Sequence, residues 1–224
     1  MGRASVVAAQ PWVDWEWVGA HRGLILELLR DHVELTVASV VFGLVISVPL
    51  ALAARRWRRL YPPVLTTVGI AYTIPSLALF TLLLPWTGLS RTTALIGLTS
   101  YTLLILVRNT VAGLDGVPDE VREAATAMGY RAPRRLLRVE LPLAMPTIVA
   151  GVRIATVTTI GLVTVAAVIG HGGLGQLILD GLNRQFRTPL IVGSVLSVAA
   201  AATADLALLG LQRLLSPWAV GDDR

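Results

Sequence analysis

The sequence has no cysteine and no lysine. Without cysteine, disulfides, thiolate metal sites and cysteine nucleophiles are excluded. Without lysine, so is a phosphate loop ending in Gly-Lys-Ser/Thr, whose lysine reaches the terminal phosphates. Charge is scarce: 15% of the 224 residues are charged and 54% hydrophobic, with a mean hydropathy of +0.70. A soluble domain is nearer one quarter charged. Too little polar surface remains to cover a globule of this size in water. That argues against a soluble enzyme, a disordered chain and a nucleic-acid binder, despite a pI near 10.6. Histidine occurs only at 21, 32 and 171, with no metal-type spacing such as His-Glu-x-x-His.

All 19 basic residues are arginine, and they come in bursts, at Arg55-Arg56-Trp57-Arg58-Arg59 and from Arg131 to Arg138. Between the bursts run long uncharged stretches. That alternation suits a polytopic membrane protein with basic cytoplasmic loops. A helix needs about 20 mostly apolar residues to cross the hydrocarbon. Runs at about 35–54, 63–84, 92–112, 142–169 and 188–211 qualify, with Pro75 a kink or break in the second. The expected fold is all-α, a polytopic transmembrane bundle of about five spans over residues 35–215. An amphipathic segment, 1–34, would lie in the membrane interface ahead of it. A cytoplasmic tail, 216–224, would follow. With the amino terminus outside and the carboxyl terminus inside, twelve arginines fall in cytoplasmic segments and six outside, in line with the positive-inside rule.

Residues 108–141 are the most informative part of the chain. Pro118 followed by Asp119 and Glu120 favours a helix start, by fixed φ and by the helix dipole. Val121, Ala124, Ala125 and Met128 recur at i, i+3, i+4 and i+7 as one apolar stripe, and Gly129 fits the stop. A second short helix is expected from Pro133, after which Leu141-Pro142 would turn the chain back into the membrane. Such a pair of helices could lie against another protein or rest on the bilayer, and residue types alone leave both readings open.

Glu123-Ala124-Ala125, Gly129 four residues later and then Leu141-Pro142 resemble the EAA loop of ABC importer permeases. The resemblance implies a type I ABC importer permease fold with a cytoplasmic coupling-helix loop at 115–141. It implies that Glu123, Ala124, Ala125, Gly129, Leu141 and Pro142 contact and couple to a cytoplasmic ATPase. Beyond the loop, Arg108-Asn109-Thr110, Gly113-Leu114, Glu140 to Ala144, Gly151-Val152-Arg153, Ile169 to Gly175 and Ile74-Pro75-Ser76 are similar to permeases for glycine betaine, choline and carnitine. His171 departs from that pattern, where alanine or glycine is expected. The implied function is the permease subunit of an ABC importer for a quaternary-ammonium osmoprotectant, in a bacterial inner membrane. Methionine or another small amino acid is the alternative cargo. Implied partners are ABC ATPase subunits, a second permease subunit (identical or paralogous), an extracytoplasmic substrate-binding protein and lipid, with no nucleic acid. No cofactor is expected in this chain, ATP and Mg belonging to the ATPase.

Three further features stand out. Gly170, Gly172, Gly173 and Gly175 disfavour a regular helix and are expected as a turn or short re-entrant piece at the outer end of the fourth span. Arg153 and Asp205 interrupt apolar spans at similar depth. They are expected to pair, or both to face the bundle interior near its inner end; the alternative is that each snorkels independently to the interface. Tyr72, Phe80, Trp86 and Tyr101 could face a path for a cation, or serve as interfacial belt and packing. An intramembrane enzyme is the competing class: a Ser76–His171 dyad stays open on residue types, but no motif supports it.

Overall fold

In a computed structural model, residues 12–220 are described, and they form helices joined by short turns with no strand among them. Four helices are long and apolar enough to cross a membrane, and a bent pair adds a fifth crossing if its halves count as one.

The first helix among the described residues is α1 (Trp15–Ala20), capped by Asp14, whose carboxylate accepts from the backbone of Glu16 and Trp17. The Asp14 amide donates to Thr188 Oγ1 at 2.9 Å. Trp17 stacks on His21 and meets Phe186 edge-on. Then α2 (Arg22–Arg56) runs unbroken for 35 residues. Residues 22–34 are therefore the first part of the first long helix, not a separate interfacial segment. At 1.5 Å per residue α2 is about 52 Å long, well beyond the ~30 Å of hydrocarbon. Its charged first turns, from Arg22 to Glu34, extend past the apolar run. Residues 1–11 of the expected segment and 221–224 of the tail lie outside the described residues.

A 3₁₀ turn (Arg58–Leu60) leads into α3 (Tyr61–Thr73) and α4 (Ser76–Thr87), which meet at 97°. Pro75 is the cause. It forces the residue before it out of the helical region, and Ile74 is extended at φ −66°, ψ 126°. The carbonyl of Ile74 accepts a hydrogen bond from the Tyr101 hydroxyl.

Next comes α5 (Arg91–Asp115), N-capped by Ser90. It is the most buried of the long helices and packs most extensively on α2 and on α8 (Leu141–Val165). The approach depends on small residues, as expected where lipid removes the hydrophobic drive between helices. A Cβ on Gly43 of α2 would overlap Thr102 of α5, and one on Gly151 of α8 would sit 2.4 Å from Asn109 Cβ. Two short helices, α6 (Asp119–Ala127) and α7 (Ala132–Arg135), separate α5 from α8. After α8 come a 3₁₀ turn (Ala166–Ile169), the glycine-rich turn, α9 (Gly175–Asn183) and α10 (Arg187–Leu215). The last helix packs on α8 and α9 and is the least buried long helix.

The crossings alternate in direction. One end of the bundle gathers the arginine bursts with α6 and α7, and the opposite end carries α1 and the glycine-rich turn.

The chain does not turn at Leu141-Pro142. Helical backbone continues from α7 through a π turn (Leu136–Glu140) into α8, with Glu140 at φ −70°, ψ −45° and Leu141 at φ −64°, ψ −47°. Pro142 lacks an N–H and would crowd the carbonyl four residues back in a regular α-helix. The wider π turn just before it accommodates that mismatch.

Candidate coupling site and the intramembrane ion pair

Local sequence builds α6 as a small handle. Asp119 and Glu120 occupy its first turn, favourable at a helix N-terminus. The helix ends in a Schellman motif: Gly129 N–H donates to Thr126 O at 2.9 Å and Tyr130 N–H to Ala125 O at 3.1 Å. That ending needs a left-handed residue, and Gly129 supplies it with φ +83°. Arg134 lies over the Tyr130 ring at 5.1 Å, folding α7 against the turn.

The apolar stripe splits in two. Ala125 is buried and Val121 half-buried against the protein, whereas Glu123, Ala124 and Met128 are exposed, Met128 at 70%. So α6 presents a short face of acidic, small and flexible apolar side chains to whatever lies beyond the bundle. Leu141 and Pro142 are not on that face. They are half-buried at the start of α8, and Leu141 packs with Leu114, Ala144 and Ile148.

Behind α6 sits a charged cluster that sequence reading does not single out. Glu140 is only 2% exposed. Its carboxylate receives Arg55 Nη2 from the end of α2 and Arg135 Nε from α7 at 2.8 Å, and Arg122 Nε of α6 stands 3.8 Å away. Arg55 also reaches Asp115 at 3.3 Å, which pairs with Arg58 at 3.1 Å. Arg122 donates to Leu114 O at 2.8 Å, at the end of α5. Glu140 lies on the arginine-rich side of the first crossing residues of α8. Burial pushes its carboxyl up, but hydrogen bonds from Arg135 and Arg55 more than reverse this and hold it below the usual carboxylate range. One signal could have marked it: Glu140 is the sole acidic residue between Glu123 and Asp180.

Within the bundle, Arg153 of α8 and Asp205 of α10 form a two-pronged ion pair, Nε to Oδ1 and Nη2 to Oδ2, both 2.9 Å. Gln212 extends it, accepting from Arg153 Nη1 at 3.4 Å and donating to Pro146 O at 3.2 Å.

At the opposite end, Gly170 and Gly173 have left-handed φ of +82° and +50°. The turn presses onto α2 and α8: a Cβ on Gly173 would sit 2.6 Å from His32 Cβ, and one on Gly175 2.3 Å from Thr164 O. A cavity of about 270 Å³ opens beside it, lined by Asp31, Arg91, Gly170, His171, Gly173 and Gln176.

The four aromatic candidates do not converge. Tyr72 meets Tyr101 edge-on at 5.8 Å, Phe80 is buried in the core with Leu35 and Leu98, and Trp86 is exposed.

A bundle of alternating apolar crossings with a basic end, a short exposed helix beside it and a helical re-entry into α8 defines a polytopic membrane protein with a surface helix at its basic end. Residues 39–220 match the family model of the binding-protein-dependent transport system inner membrane component, and the chain belongs to that family. It is the permease subunit of an ABC importer, a multi-pass inner-membrane component and not an enzyme. Among curated proteins it is 38% identical over 200 residues to the osmoprotectant import permease protein OsmW of Salmonella typhimurium, covering 87% of this chain and 93% of that one. It is 35% identical to the glycine betaine/carnitine/choline transport system permease protein OpuCD of Bacillus subtilis, covering 87% and 86%. It is 32% identical to the choline transport system permease protein OpuBB of the same organism, covering 90% and 93%. Among solved structures, an inward-facing form of the MetNI methionine ABC transporter matches with a TM-score of 0.76 at 24% identity, over 88% of this chain and 98% of that one. That likeness concerns the fold alone.

Proposed function

We propose that this permease passes a quaternary-ammonium osmoprotectant such as glycine betaine, choline or carnitine. The support is the set of relatives, matched nearly end to end, whose names carry those substrates. The methionine alternative draws only on likeness of fold. The path is completed by a second permease subunit, identical or paralogous. Two ATPase subunits, which hold the ATP and Mg, bind at the arginine-rich end, which is cytoplasmic. The amino terminus is then outside and the carboxyl terminus inside, following the arginine bias. An external binding protein delivers substrate around residues 85–91 and 170–187.

The observation that carries the coupling role is the exposed face of Glu123, Ala124 and Met128 on a helix whose other side is tied to the spans. ATP-driven closure of the ATPase subunits moves that helix, and the bundle exchanges between inward-open and outward-open packings. The test is reconstitution with the ATPase subunits and the substrate-binding protein of the same importer. Uptake of radiolabelled glycine betaine, choline or carnitine, competed by the others and not by methionine, is the expected result. Uptake of methionine alone overturns the substrate reading.

A further inference from the structure

We propose that Glu140 is a three-armed knot that makes the coupling helix and the inner ends of α2 and α8 one rigid lever. Force entering at α6 then reaches the first crossing as directly as the fourth. This rests on the reading of α6 as the ATPase docking helix.

The geometry is unusual for a single side chain. Its three arginine neighbours come from three elements: Arg55 from α2, Arg122 from α6 and Arg135 from α7. At 2% exposure the carboxylate has little water to fall back on. Buried charges persist only when paired and hydrogen-bonded. Removing the anion would take the shared acceptor from Arg55 and Arg135 and leave Arg122 of α6 with only Asp119 and the Leu114 carbonyl, so its loss loosens the joint between α2, α7 and α6.

Apolar packing cannot replace this link. Only Ala125 of α6 is buried, and the main neighbours of α6 are α7 and the π turn, not the long crossings. What fastens α6 to the bundle is polar: Arg122 to Leu114 O and towards Glu140, and Arg135 to Thr126 Oγ1 at 2.9 Å.

Glu140 is also the last residue of the π turn, two residues before Pro142. A π turn beside a proline is where a long helix bends. The Arg135–Glu140 bond spans that turn lengthwise, and the Arg55–Glu140 bond ties it sideways to α2. The knot is thus a splint over the weakest point between handle and crossing. Asp115, held by Arg55 and Arg58, adds the end of α5 to the same body.

The chain has no cysteine, so introduced cysteines are the only thiols of this subunit and can be labelled before it is assembled with its partners. In the assembled transporter with its ATPase, spin labels at Glu120→Cys on α6 and Trp57→Cys at the end of α2 report their separation by dipolar spectroscopy. The expected distance is the same without nucleotide and with ATP trapped. In Glu140→Gln it broadens and shifts with nucleotide, and binding-protein-stimulated ATP hydrolysis falls about tenfold, the scale of a typical intersite coupling, while the ATPase still copurifies. Arg55→Gln removes one partly exposed arm and gives the same change in smaller degree. It serves if Glu140→Gln does not assemble. A distance that moves with nucleotide in the unsubstituted background, or variants with unchanged distances and stimulation, overturns the lever. Cross-linking from Glu123→Cys separates the two claims. With no cross-link to the ATPase, the docking reading falls and the lever with it; with a cross-link and a mobile α6–α2 distance, the lever falls alone.

Discussion

Arg153 and Asp205, 52 residues apart in sequence, share two hydrogen bonds of 2.9 Å and so clasp α8 to α10. The clasp matters because α10 is otherwise the least buried of the long helices. A lone charge on either helix would be costly in hydrocarbon. Asp205→Asn and Arg153→Gln should each lower the yield of assembled complex severalfold, as measured by size-exclusion after detergent extraction. The exchange Arg153→Asp with Asp205→Arg should restore much of it. No rescue would mean that the two charges act independently.

Gly129 and Gly173 should respond very differently to alanine. At Gly129 a Cβ meets nothing within 4 Å, so the only penalty is the left-handed backbone, about 1 kcal/mol. Amide exchange across 119–131 should quicken severalfold in Gly129→Ala, and less in Gly129→Asn. At Gly173 a Cβ would lie 2.8 Å from the backbone nitrogen of His32, which cannot move without shifting α2. Gly173→Ala should therefore fail to assemble. Gly210→Ala, with open space around it, should be neutral.

The Tyr101 hydroxyl occupies the Ile74 carbonyl at the break between α3 and α4. Tyr101→Phe leaves that carbonyl without its partner, at a cost of about 1–2 kcal/mol. A lower unfolding temperature in detergent is the expected outcome. An unchanged value would show that water or lipid replaces the hydroxyl at no cost.

Much of this architecture is legible in the apolar runs, because membrane burial leaves so strong a compositional mark. Three features are not. Charges at Arg22, Glu27, Arg30 and Glu34 hide the start of α2, since hydropathy marks where hydrocarbon ends and not where the helix does. Leu141-Pro142 reads as a turn, because a π turn has no sequence signature beyond the proline that it accommodates. Glu140 reads as one acid in a basic run. Its role depends on Arg55, 85 residues away in the chain, and such a contact exists only once α2 and α8 are packed. The EAA pattern, by contrast, marks the handle itself, because the Schellman ending and the small residues that define it are local.

Glu140 sets a pH expectation as well. Its carboxyl is held below the ordinary range. The stability it contributes is therefore fully present above the ordinary carboxylate pKa and is lost as pH falls through the lowered value. The knot does not titrate near neutrality. Coupled ATP hydrolysis between about pH 6 and 8 should have the same profile shape in wild type and Glu140→Gln, at a reduced level in the variant. A profile that changes shape in that window would mean that another group titrates through the knot.

The most direct measurement is binding-protein-stimulated ATP hydrolysis by the reconstituted transporter carrying Glu123→Arg. Glu123 is exposed on α6 and makes no ion pair among the described residues, so its reversal leaves the bundle intact and alters only what the handle presents. Stimulation should fall about tenfold while the purified permease keeps its unfolding temperature. Full stimulation in that variant would contradict the account.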